Sequence, residues 1–374
     1  LAPDRSLRTA DFDYELPGEL IAQRPAARRG ESRLLVVERE RKRARERGEG
    51  EGRPGRSPAL PVSLSPSLRE PFPDLQFPDI VSLIPAGDLL VLNTTRVRHA
   101  RFLAKRPSGA PAEVLLIHPA ADGTWVALGK PGSALRPGKR VEIAPDIWIE
   151  TVEVLEDGNR TVRFVGTTAE DAIARYGRLP LPPYIARDPD QMDEDRYQTI
   201  YADREGSVAA PTAGLHFTPA LLAALRQKEV RMATLDLEVG PGTFKPVETD
   251  DLSGHQMHPE RFEVPPALAE AIAETKAAGR GVWAVGTTVV RALESAADEF
   301  GRVRPGPGET RLFITPGYRF RVVDHLITNF HLPRSTLLML VCAFAGVETI
   351  RTAYRHAVEQ KYRFYSYGDA MVVV

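Results

Sequence analysis

Apolar and polar positions follow three different patterns along the chain, and each pattern predicts a different kind of structure. Near the start, residues 11–38 combine a short helical pattern with the apolar run SRLLVV, which is typical of a strand buried on both faces. Residues 87–97, GDLLVLNTTRV, predict a second buried strand that ends in a polar turn. Both segments indicate a sheet covered by helices.

Residues 98–166 consist of short β-type runs, among them AEVLLIH, TWVALGK and TVRFVG. Asp-Gly and Pro-Gly pairs separate these runs at fairly regular intervals. Short strands with evenly spaced turns are typical of a small antiparallel barrel or sandwich. We therefore predict a small antiparallel β-barrel domain over 98–166, inserted into a larger domain.

After residue 167 strands and helices alternate, beginning with a helix near 168–176. Thr218 and Pro219 form a favourable N-cap and N1 pair, GVWAV and VDHLIT predict strands, and STLLMLVCAFAG predicts an apolar helix. The predicted fold class is mixed α/β (α+β). The large domain is formed by residues 1–97 and 167–374 around the inserted barrel.

One segment, residues 39–75, interrupts the first part of the large domain. Residues 39–56 contain eight basic and four acidic side chains and almost nothing apolar, and a Pro- and Ser-rich stretch follows. Such a composition buries too little apolar surface to offset the entropy of ordering. We predict a disordered insertion, with an RNA-binding arm as the alternative.

The amino-acid composition excludes several classes of protein but does not identify a function. The 374 residues carry a formal net charge of −1, so a polyanionic partner must be held by a local basic patch. The single cysteine, Cys342, excludes an internal disulfide and any CxxC metal or redox motif. Its apolar run is shorter than the roughly 20 residues that span a bilayer, and no signal-peptide pattern is present. We expect a cytoplasmic monomer that does not associate with membranes.

The segment SVAAPTAGLHFT surrounds its one titratable side chain, His216, with small, apolar or hydroxyl residues. The lack of nearby charge disfavours the imidazolium, and an imidazole that is neutral near pH 7 suits proton transfer. Gly214 permits close approach of a ligand, and the helix that begins after Thr218 offers free N–H groups. A histidine packed inside a loop is equally compatible with this pattern.

Two further loops contain residues of functional types. In VGPGTFKPV, Gly240 and Gly242 end a strand in a tight turn but match neither GxGxxG nor the GxxxxGK[ST] phosphate loop, so a structural turn is an equal alternative. In GHQMHPERFEV, the side chains of His255, His258 and Glu260 do not have HExxH spacing. We favour acid–base or phosphate-contact roles over a zinc site, with a surface loop as the remaining alternative.

The segment AVGTTVVRALES leads from a strand into a helix. Gly286, Thr287 and Thr288 at the start of the helix predict a corner that binds a small anion or a hydroxyl group. Arg291 is placed in the first turn, where the helix dipole disfavours a cation. This indicates either an anionic ligand or an ion pair with Glu294.

Near the C-terminus, TNFHLPRST places Asn329 and His331 between a strand and an apolar helix. KYRFYSYGDAM combines aromatic residues such as Tyr365 with basic residues and Asp369, a combination that suits stacking on nucleobases. An edge strand with a packed aromatic face is the alternative. A basic group at the junction of the two predicted domains is the best candidate for contact with RNA, unless its members form salt bridges: Arg96, Arg98, Arg101, Lys105 and Arg106.

Several unusual strings occur in one order along nearly the whole chain outside residues 39–75. They include DFDYELPGELIAQRP, PAGDLLVLNTTRV, LPLPPYI, YQTIYA, GSVAAPTAGLHFT, VGPGTFKPV, HQMHPE, AVGTTVVRALES, LITNFHLPRSTLLMLVCAFAG and YRFYSYGDAM. Together they closely resemble the S-adenosylmethionine:tRNA ribosyltransferase-isomerases of queuosine biosynthesis. The chain departs from the family pattern at Glu238 and Pro241, beside the glycine turn, and in its charged insertion.

The resemblance implies a large α/β domain with an inserted barrel, and a specific reaction. The ribosyl part of S-adenosylmethionine is transferred to 7-aminomethyl-7-deazaguanine at the wobble position of a tRNA with a GUN anticodon and is rearranged to an epoxycyclopentanediol, releasing adenine and methionine. S-adenosylmethionine is then a consumed co-substrate, and no cofactor or metal is expected. An RNA-binding module without catalysis and an S-adenosylmethionine-dependent methyltransferase are the competing interpretations.

The chemistry that the resemblance implies, taken together with the residue types in the loops and the basic group described above, selects candidate residues of this chain. Candidate catalytic residues are His216, His331, His258, Glu260 and Asp369. Candidates for contact with S-adenosylmethionine are Pro211, Thr212, Gly214, Phe217, Gly240, Gly242, Thr243, Gly286, Thr287, Thr288, Arg291 and Asn329. Candidates for contact with RNA are Arg96, Arg98, Arg101, Lys105 and Tyr365. The predicted arrangement brings several of these turns together in a dry, weakly charged cavity.

Overall fold

The structure is a computed structural model, and it describes residues 7–39, 72–120, 122–244, 247 and 249–374. In chain order the strands are β1 (Arg33–Val37), β2 (Asp74–Gln76), β3 (Leu89–Asn93), β4 (Arg96–Val97), β5 (Arg101–Lys105), β6 (Pro111–Pro119), β7 (Trp125–Lys130), β8 (Arg140–Ala144), β9 (Ile147–Val154), β10 (Arg160–Val165), β11 (Glu205–Ser207), β12 (Arg231–Leu237), β13 (Glu260–Val264), β14 (Val282–Val285), β15 (Gly306–Thr310), β16 (His325–Asn329) and β17 (Ala370–Val373). The helices are α1 (Ile80–Leu83), α2 (Ala169–Tyr176), α3 (Gln191–Arg196), α4 (Pro219–Gln227), α5 (Pro266–Ala277), α6 (Thr287–Ala296), α7 (Thr336–Ala345) and α8 (Val347–Glu359).

A mixed sheet of nine strands forms the centre of the larger part of the molecule. Its order is β15-β13-β12-β3-β14-β16-β17-β1-β2 in the described ranges. The four middle strands β12, β3, β14 and β16 run parallel, whereas β17 runs antiparallel to β16. The mixed α/β fold predicted from the sequence is therefore confirmed. The carboxyl ends of the parallel strands meet at one edge of the sheet, where ligands bind in open α/β folds.

Both faces of this sheet are buried, which explains the continuous apolar run in β1. Leu35 and Val37 pack into a core with α5, α6, α7 and α8, while Leu34 and Val36 pack on the other face with α1 and α4. Thr218 caps α4 as predicted, because its hydroxyl accepts a hydrogen bond of 3.1 Å from the Leu221 amide.

Strands β5 to β10 form a closed barrel in the order β10-β7-β6-β5-β8-β9, and every neighbouring pair is antiparallel. Alternate residues of β6, among them Val114 and Leu116, point into its core with Phe102 and Val162. A short parallel pair, β4 with β11, lies at the start of the barrel segment.

Two local predictions are corrected by the structure. The predicted insertion extends too far at its end, because Phe72 is buried and β2 pairs with β1; the rest, from residue 40 to 71, lies outside the described residues. The edge strand offered for 361–371 is wrong, because only the final part of this segment enters β17, which lies between β16 and β1 inside the sheet.

Helix α7 is the apolar helix predicted near Cys342, and most of its residues are buried. Across the described ranges no single helix is long and apolar enough to cross a bilayer. Only α7 and α8 taken together pass such a test, and they are bent by 114°.

Candidate active site

Six segments of the sequence surround one hollow at the carboxyl edge of the sheet, which we call the neutral cavity. Its lining residues are Tyr184, Ala210, Pro211, Thr212, Ala213, Val239, Gly286, Thr287, Thr288, Thr328, Asn329, Phe330, His331, Leu332, Ser335, Leu337, Tyr365 and Ser366. Its empty volume, counted with the open mouth, is about 640 Å³. None of the described lining residues is Asp, Glu, Lys or Arg.

The turn from β14 into α6 forms one wall of the neutral cavity. Gly286 has a φ of +95°, which only glycine adopts easily, and its amide donates a 2.8 Å hydrogen bond to the Ile327 carbonyl at the end of β16. Thr287 and Thr288 follow as the first helical residues. The hydroxyl of Thr288 is buried and has no hydrogen-bond partner among the described residues, so it is a candidate ligand contact.

The antiparallel pairing of β16 with β17 forms a second wall. Asn329 lies opposite Ala370 in this register, and its amide nitrogen donates a 3.0 Å hydrogen bond to the Tyr365 carbonyl. Within the described part of the chain, the side-chain oxygen of Asn329 is buried without a hydrogen bond. Asn329 therefore presents a fixed amide dipole to the cavity.

Two aromatic rings form the outer wall of the cavity. Tyr184 and Tyr365 have ring centroids 4.7 Å apart, and the Tyr184 hydroxyl lies 2.6 Å from the Ser366 hydroxyl. Tyr365 is only 5% exposed, so it lines the cavity and does not present an open face to solvent. Sequence reasoning did not single out Tyr184, whose string LPLPPYI carried no signal beyond its prolines.

His331 lines the neutral cavity directly. Its Nε2 lies 2.8 Å from the Thr328 hydroxyl, and its backbone amide donates to the Tyr354 hydroxyl at 3.0 Å. Burial lowers the pKa of His331 to about 3. The imidazole is therefore uncharged throughout the physiological pH range.

His216 lies in a second hollow, which we call the arginine cleft. The residues that line it are Pro25, Ala26, Arg28, Gly30, Ser32, Arg196, Leu215, His216, Ser366, Tyr367 and Gly368, around an empty volume of about 310 Å³. Ser366 lines both hollows. Asn329, a lining residue of the neutral cavity, also interacts with the His216 imidazole. His216 therefore lies between the two hollows.

The His216 ring is fixed by its neighbours. Its Nδ1 lies 2.5 Å from the Ser32 hydroxyl, and its ring centroid lies 4.9 Å from that of Phe77. Burial lowers the pKa of His216 to about 4, although Asp369 and Asn329 act in the opposite direction. The imidazole is neutral because it is buried, not because charge is absent around it, since Asp369, Arg29 and Arg363 all act on the ring.

Asp369 is buried and lines neither hollow. Its Oδ1 accepts a hydrogen bond from the Arg33 amide at 2.9 Å, and its Oδ2 accepts one from the Arg363 amide at 2.8 Å. The Arg33 guanidinium also pairs with it at 3.3 Å. Because these donors hold the Asp369 carboxylate, its effect on His216 is electrostatic: its negative charge favours the protonated imidazole.

Glu260 and Arg291 form a buried ion pair away from the neutral cavity. The predicted pair of Arg291 with Glu294 is wrong, because the Glu294 carboxylate accepts hydrogen bonds from backbone amides at 321–323. Arg291 is also the fifth residue of α6 and so lies beyond its first turn. Burial raises the pKa of Glu260, and Arg291 opposes that shift.

The remaining candidates for ligand contact lie outside the cavity lining. A Cβ on Gly214 would come within 2.2 Å of the Tyr201 hydroxyl, so close packing requires glycine there. Phe217 is fully buried, edge-to-face with Phe77 at 5.1 Å. Gly240 hydrogen-bonds Glu260 through its backbone, the His258 ring packs on Gly242, and the Thr243 side chain is outside the described residues.

The basic group predicted to contact RNA is partly neutralised. Arg101 pairs with Glu113 at 2.8 Å, and Arg98 lies 4.0 Å from Glu205. Arg96 donates to the Ala202 carbonyl at 2.9 Å, while Lys105 is exposed at the end of β5. Salt bridges, the alternative considered for this group, are thus present at two of its members.

The three residues considered as metal ligands, His255, His258 and Glu260, each contact a different neighbour. The His255 ring packs on Phe313 at 5.1 Å, His258 packs on Gly242, and Glu260 pairs with Arg291. Over the ranges that the structure describes, no group of three or more His, Cys, Asp and Glu side chains is arranged to hold a metal ion.

Comparisons with known proteins give a consistent result. The profile of a family described as "Queuosine biosynthesis protein" matches residues 9–373. The S-adenosylmethionine:tRNA ribosyltransferase-isomerases of Cupriavidus metallidurans and Thiobacillus denitrificans are 51% and 47% identical to the chain, each over 98% of it and over 98% and 97% of their own lengths. The crystal structure of S-adenosylmethionine tRNA ribosyltransferase from Thermotoga maritima is 35% identical, with a TM-score of 0.52 over 97% of this chain and 100% of that one.

Proposed function

The chain belongs to the family of S-adenosylmethionine:tRNA ribosyltransferase-isomerases, transferase-isomerase enzymes of queuosine biosynthesis, and we propose the specific reaction that it catalyses. The ribosyl part of S-adenosylmethionine is transferred to 7-aminomethyl-7-deazaguanine at the wobble position of a tRNA with a GUN anticodon. Isomerisation yields the epoxyqueuosine nucleoside, and adenine and methionine are released. The enzyme acts as a cytoplasmic monomer without a metal or other cofactor.

The observation that carries this proposal is the neutral cavity. Its described walls hold neutral dipoles and aromatic rings and no charged side chain, so nothing in them repels the positive sulfonium. The buried Thr288 hydroxyl and Asn329 amide oxygen are available to a polar ligand. Aromatic faces such as those of Tyr184 and Tyr365 favour a nucleoside with a cationic centre.

The uncharged imidazoles supply the proton transfers. The sulfonium acidifies the adjacent 5′ carbon, so a neutral imidazole accepts that proton as the reaction begins. The proton taken up by the imidazole can then pass to the departing adenine, so that the base leaves in its neutral form. We assign this contact to His331, which lines the cavity, and assign His216 to the side that faces the arginine cleft.

The attacking amine of the modified base must be unprotonated. A dry cavity disfavours its ammonium form, because burial penalises charge. The closed barrel is proposed to act as an inserted domain over 98–166 that helps to position the tRNA beside the large domain.

The test is to incubate the protein with S-adenosylmethionine and tRNA that bears the aminomethyl base, and to identify the small products. Adenine and methionine in equal amounts, one of each per modified nucleoside, are expected. S-adenosylhomocysteine would instead indicate a methyltransferase, and tRNA binding with no small product would indicate an RNA-binding module.

Replacement of the histidines tests the assigned roles. His331→Gln and His216→Gln should each lower turnover by about 100-fold to 10,000-fold, the range for removing a proton-transfer group. Affinity for S-adenosylmethionine should change little, since glutamine keeps polarity and approximate size. Unchanged turnover in either variant removes that residue from the mechanism.

A further inference from the structure

We propose that the arginine cleft and its edge form a phosphate subsite for a backbone phosphodiester of the RNA substrate. Arg196 lines the cleft, and Arg29 and Arg363 lie beside its lining residues, bonded to the carbonyls of Leu215 and Arg24. The inference rests on the proposed function, because it assigns the surface that holds the tRNA beside the neutral cavity. The group lies apart from the basic residues that sequence reasoning selected near the barrel.

The three guanidinium groups are bound to backbone carbonyls instead of carboxylates. Arg29 donates to the Leu215 carbonyl at 3.0 Å and to the Asp195 carbonyl at 2.8 Å. Arg196 donates weakly to the Ala27 carbonyl at 3.4 Å, and Arg363 donates to a carbonyl at Arg24. Within the described residues none of the three forms an ion pair, so their positive charges are not compensated locally.

Other arginines nearby are neutralised. Arg24 pairs with Asp190 at 2.6 Å, Arg187 pairs with Asp193 at 2.5 Å, and Arg28 pairs with Glu31. The acidic residues near the cleft are therefore largely committed to partners outside the group of three. Two carboxylates still act on the group without pairing with it: Asp195, which is exposed, acts on Arg29, and Glu31 acts on Arg196.

All three groups are partly buried, and Arg29 bonds to the carbonyl of Asp195, the residue before Arg196. Burial and the neighbouring charge of Arg196 lower the pKa of Arg29, and burial lowers the pKa of Arg196. Arg29 and Arg363 both act on His216 with their positive charges. Bringing like charges together out of water is unfavourable, so an anion that binds between them gains affinity from relieving the repulsion.

The walls of the cleft suit a phosphate group. Besides Arg196, the lining includes the hydroxyl groups of Ser32 and Ser366, which contact His216 and Tyr184 respectively. Guanidinium groups match phosphate oxygens with paired N–H donors. Because Ser366 also lines the neutral cavity, a phosphate held in the cleft brings its own nucleotide to the mouth of that cavity.

The experiment measures tRNA affinity as a function of salt for Arg196→Gln, Arg363→Gln and the double variant. Arg29 is left intact because its hydrogen bonds to two carbonyls tie segments together. Each single variant should reduce the slope of log affinity against log salt by about 0.7 to 0.9, the value for one lost phosphate contact. At moderate salt each should bind tRNA about 5-fold to 10-fold more weakly, with S-adenosylmethionine affinity unchanged.

Arg302→Gln is the matched control. Arg302 is 76% exposed by its side chain, pairs with Asp298 and lines neither hollow, so its removal changes the net charge equally. The control should leave the slope and tRNA affinity unchanged. Correctly folded cleft variants that also keep the wild-type slope would overturn the proposal.

Two further measurements, with inorganic phosphate and of adenine release, show which part of the proposal is wrong if the results differ from those expected. Millimolar inorganic phosphate should compete for the same guanidinium groups and so weaken tRNA binding to the wild type more than to the double variant. If phosphate instead raises the unfolding temperature of the wild type alone while the tRNA slope is the same in all variants, the cleft binds free phosphate and the RNA assignment is wrong. If the wild type releases adenine while the cleft variants keep their slope, the proposed function stands and the subsite is wrong. If the slopes fall but no adenine is released, the subsite stands and the proposed reaction is wrong.

Discussion

The neutral cavity and the arginine cleft share Ser366, yet they differ in charge. The described walls of the cavity contain no charged side chain, whereas Arg28 and Arg196 line the cleft, and only Arg28 has a carboxylate partner among the described residues. In the proposed function this difference corresponds to two ligands of opposite charge, a sulfonium nucleoside and a polyanionic RNA. Neighbouring sites can serve both because burial separates the charges and keeps the histidine between them uncharged.

The largest expected effect comes from placing a charge in the neutral cavity. Thr288→Arg introduces a buried cation without a partner and should weaken S-adenosylmethionine binding by about 100-fold, or about 2.7 kcal/mol. Affinity for tRNA should stay unchanged, because the cleft is not altered. Isothermal titration with each ligand measures both values, and equal losses for the two ligands would show that the hollows are not independent.

The neutrality of His216 predicts a pH-dependent stability. Its pKa in the folded state is about 4, below its ordinary value of 6.5, so the unfolded chain takes up the proton first as the pH falls. Stability is therefore lost as the pH falls through this window, by about 2 kcal/mol between pH 7 and pH 5. Urea unfolding at the two pH values should show this extra loss in the wild type relative to His216→Gln. Identical pH dependence in both proteins would mean that the imidazole is not held neutral.

A smaller effect is expected from removing only the Thr288 hydroxyl. Thr288→Val should weaken S-adenosylmethionine binding by about fivefold, or about 1 kcal/mol, the usual value of one hydrogen bond. The free energy of unfolding without ligand should not fall, because this hydroxyl has no partner among the described residues. Loss of stability without loss of affinity would assign the hydroxyl a purely structural role.

The smallest expected change is the salt dependence of S-adenosylmethionine binding, and its contrast with tRNA binding distinguishes the two hollows. Between about 50 and 200 mM salt, affinity for S-adenosylmethionine should change less than about twofold, because the neutral cavity forms no ion pair with it. Affinity for tRNA should fall by more than about tenfold if three phosphate contacts are made. A strong salt effect on S-adenosylmethionine binding would place charged residues in its site.

Sequence reasoning succeeded where the signal is local. The helix predicted near 168–176 is α2 (Ala169–Tyr176), and GVWAV contains β14 (Val282–Val285). The turn residues Gly286 and Asn329, chosen for their positions at strand ends, do line one hollow. Hydrophobic period and capping depend on residues within a few positions, so the sequence contains them directly.

Prediction from the sequence failed where a side chain interacts with a residue that is distant in the sequence. The sequence suggests Glu294, three residues away, as the ion-pair partner of Arg291, but β13 brings Glu260, 31 positions earlier, into contact with it. Ser32 had no signal as the neighbour of His216, because 184 residues separate them. The roles assigned to the candidate residues stay predictions.

By itself, the amino-acid sequence determined the elements, the mixed α/β class and, through its motifs, the family. Only the tertiary structure decided which side chains share a hollow, because strand order and the antiparallel entry of β17 beside β16 bring Ala370 opposite Asn329. It also decided which charges remain uncompensated: Arg28 and Arg29 are adjacent in sequence, yet one has a carboxylate partner and the other has two carbonyls. Charge compensation depends on distances across the fold, and a linear pattern does not contain those distances.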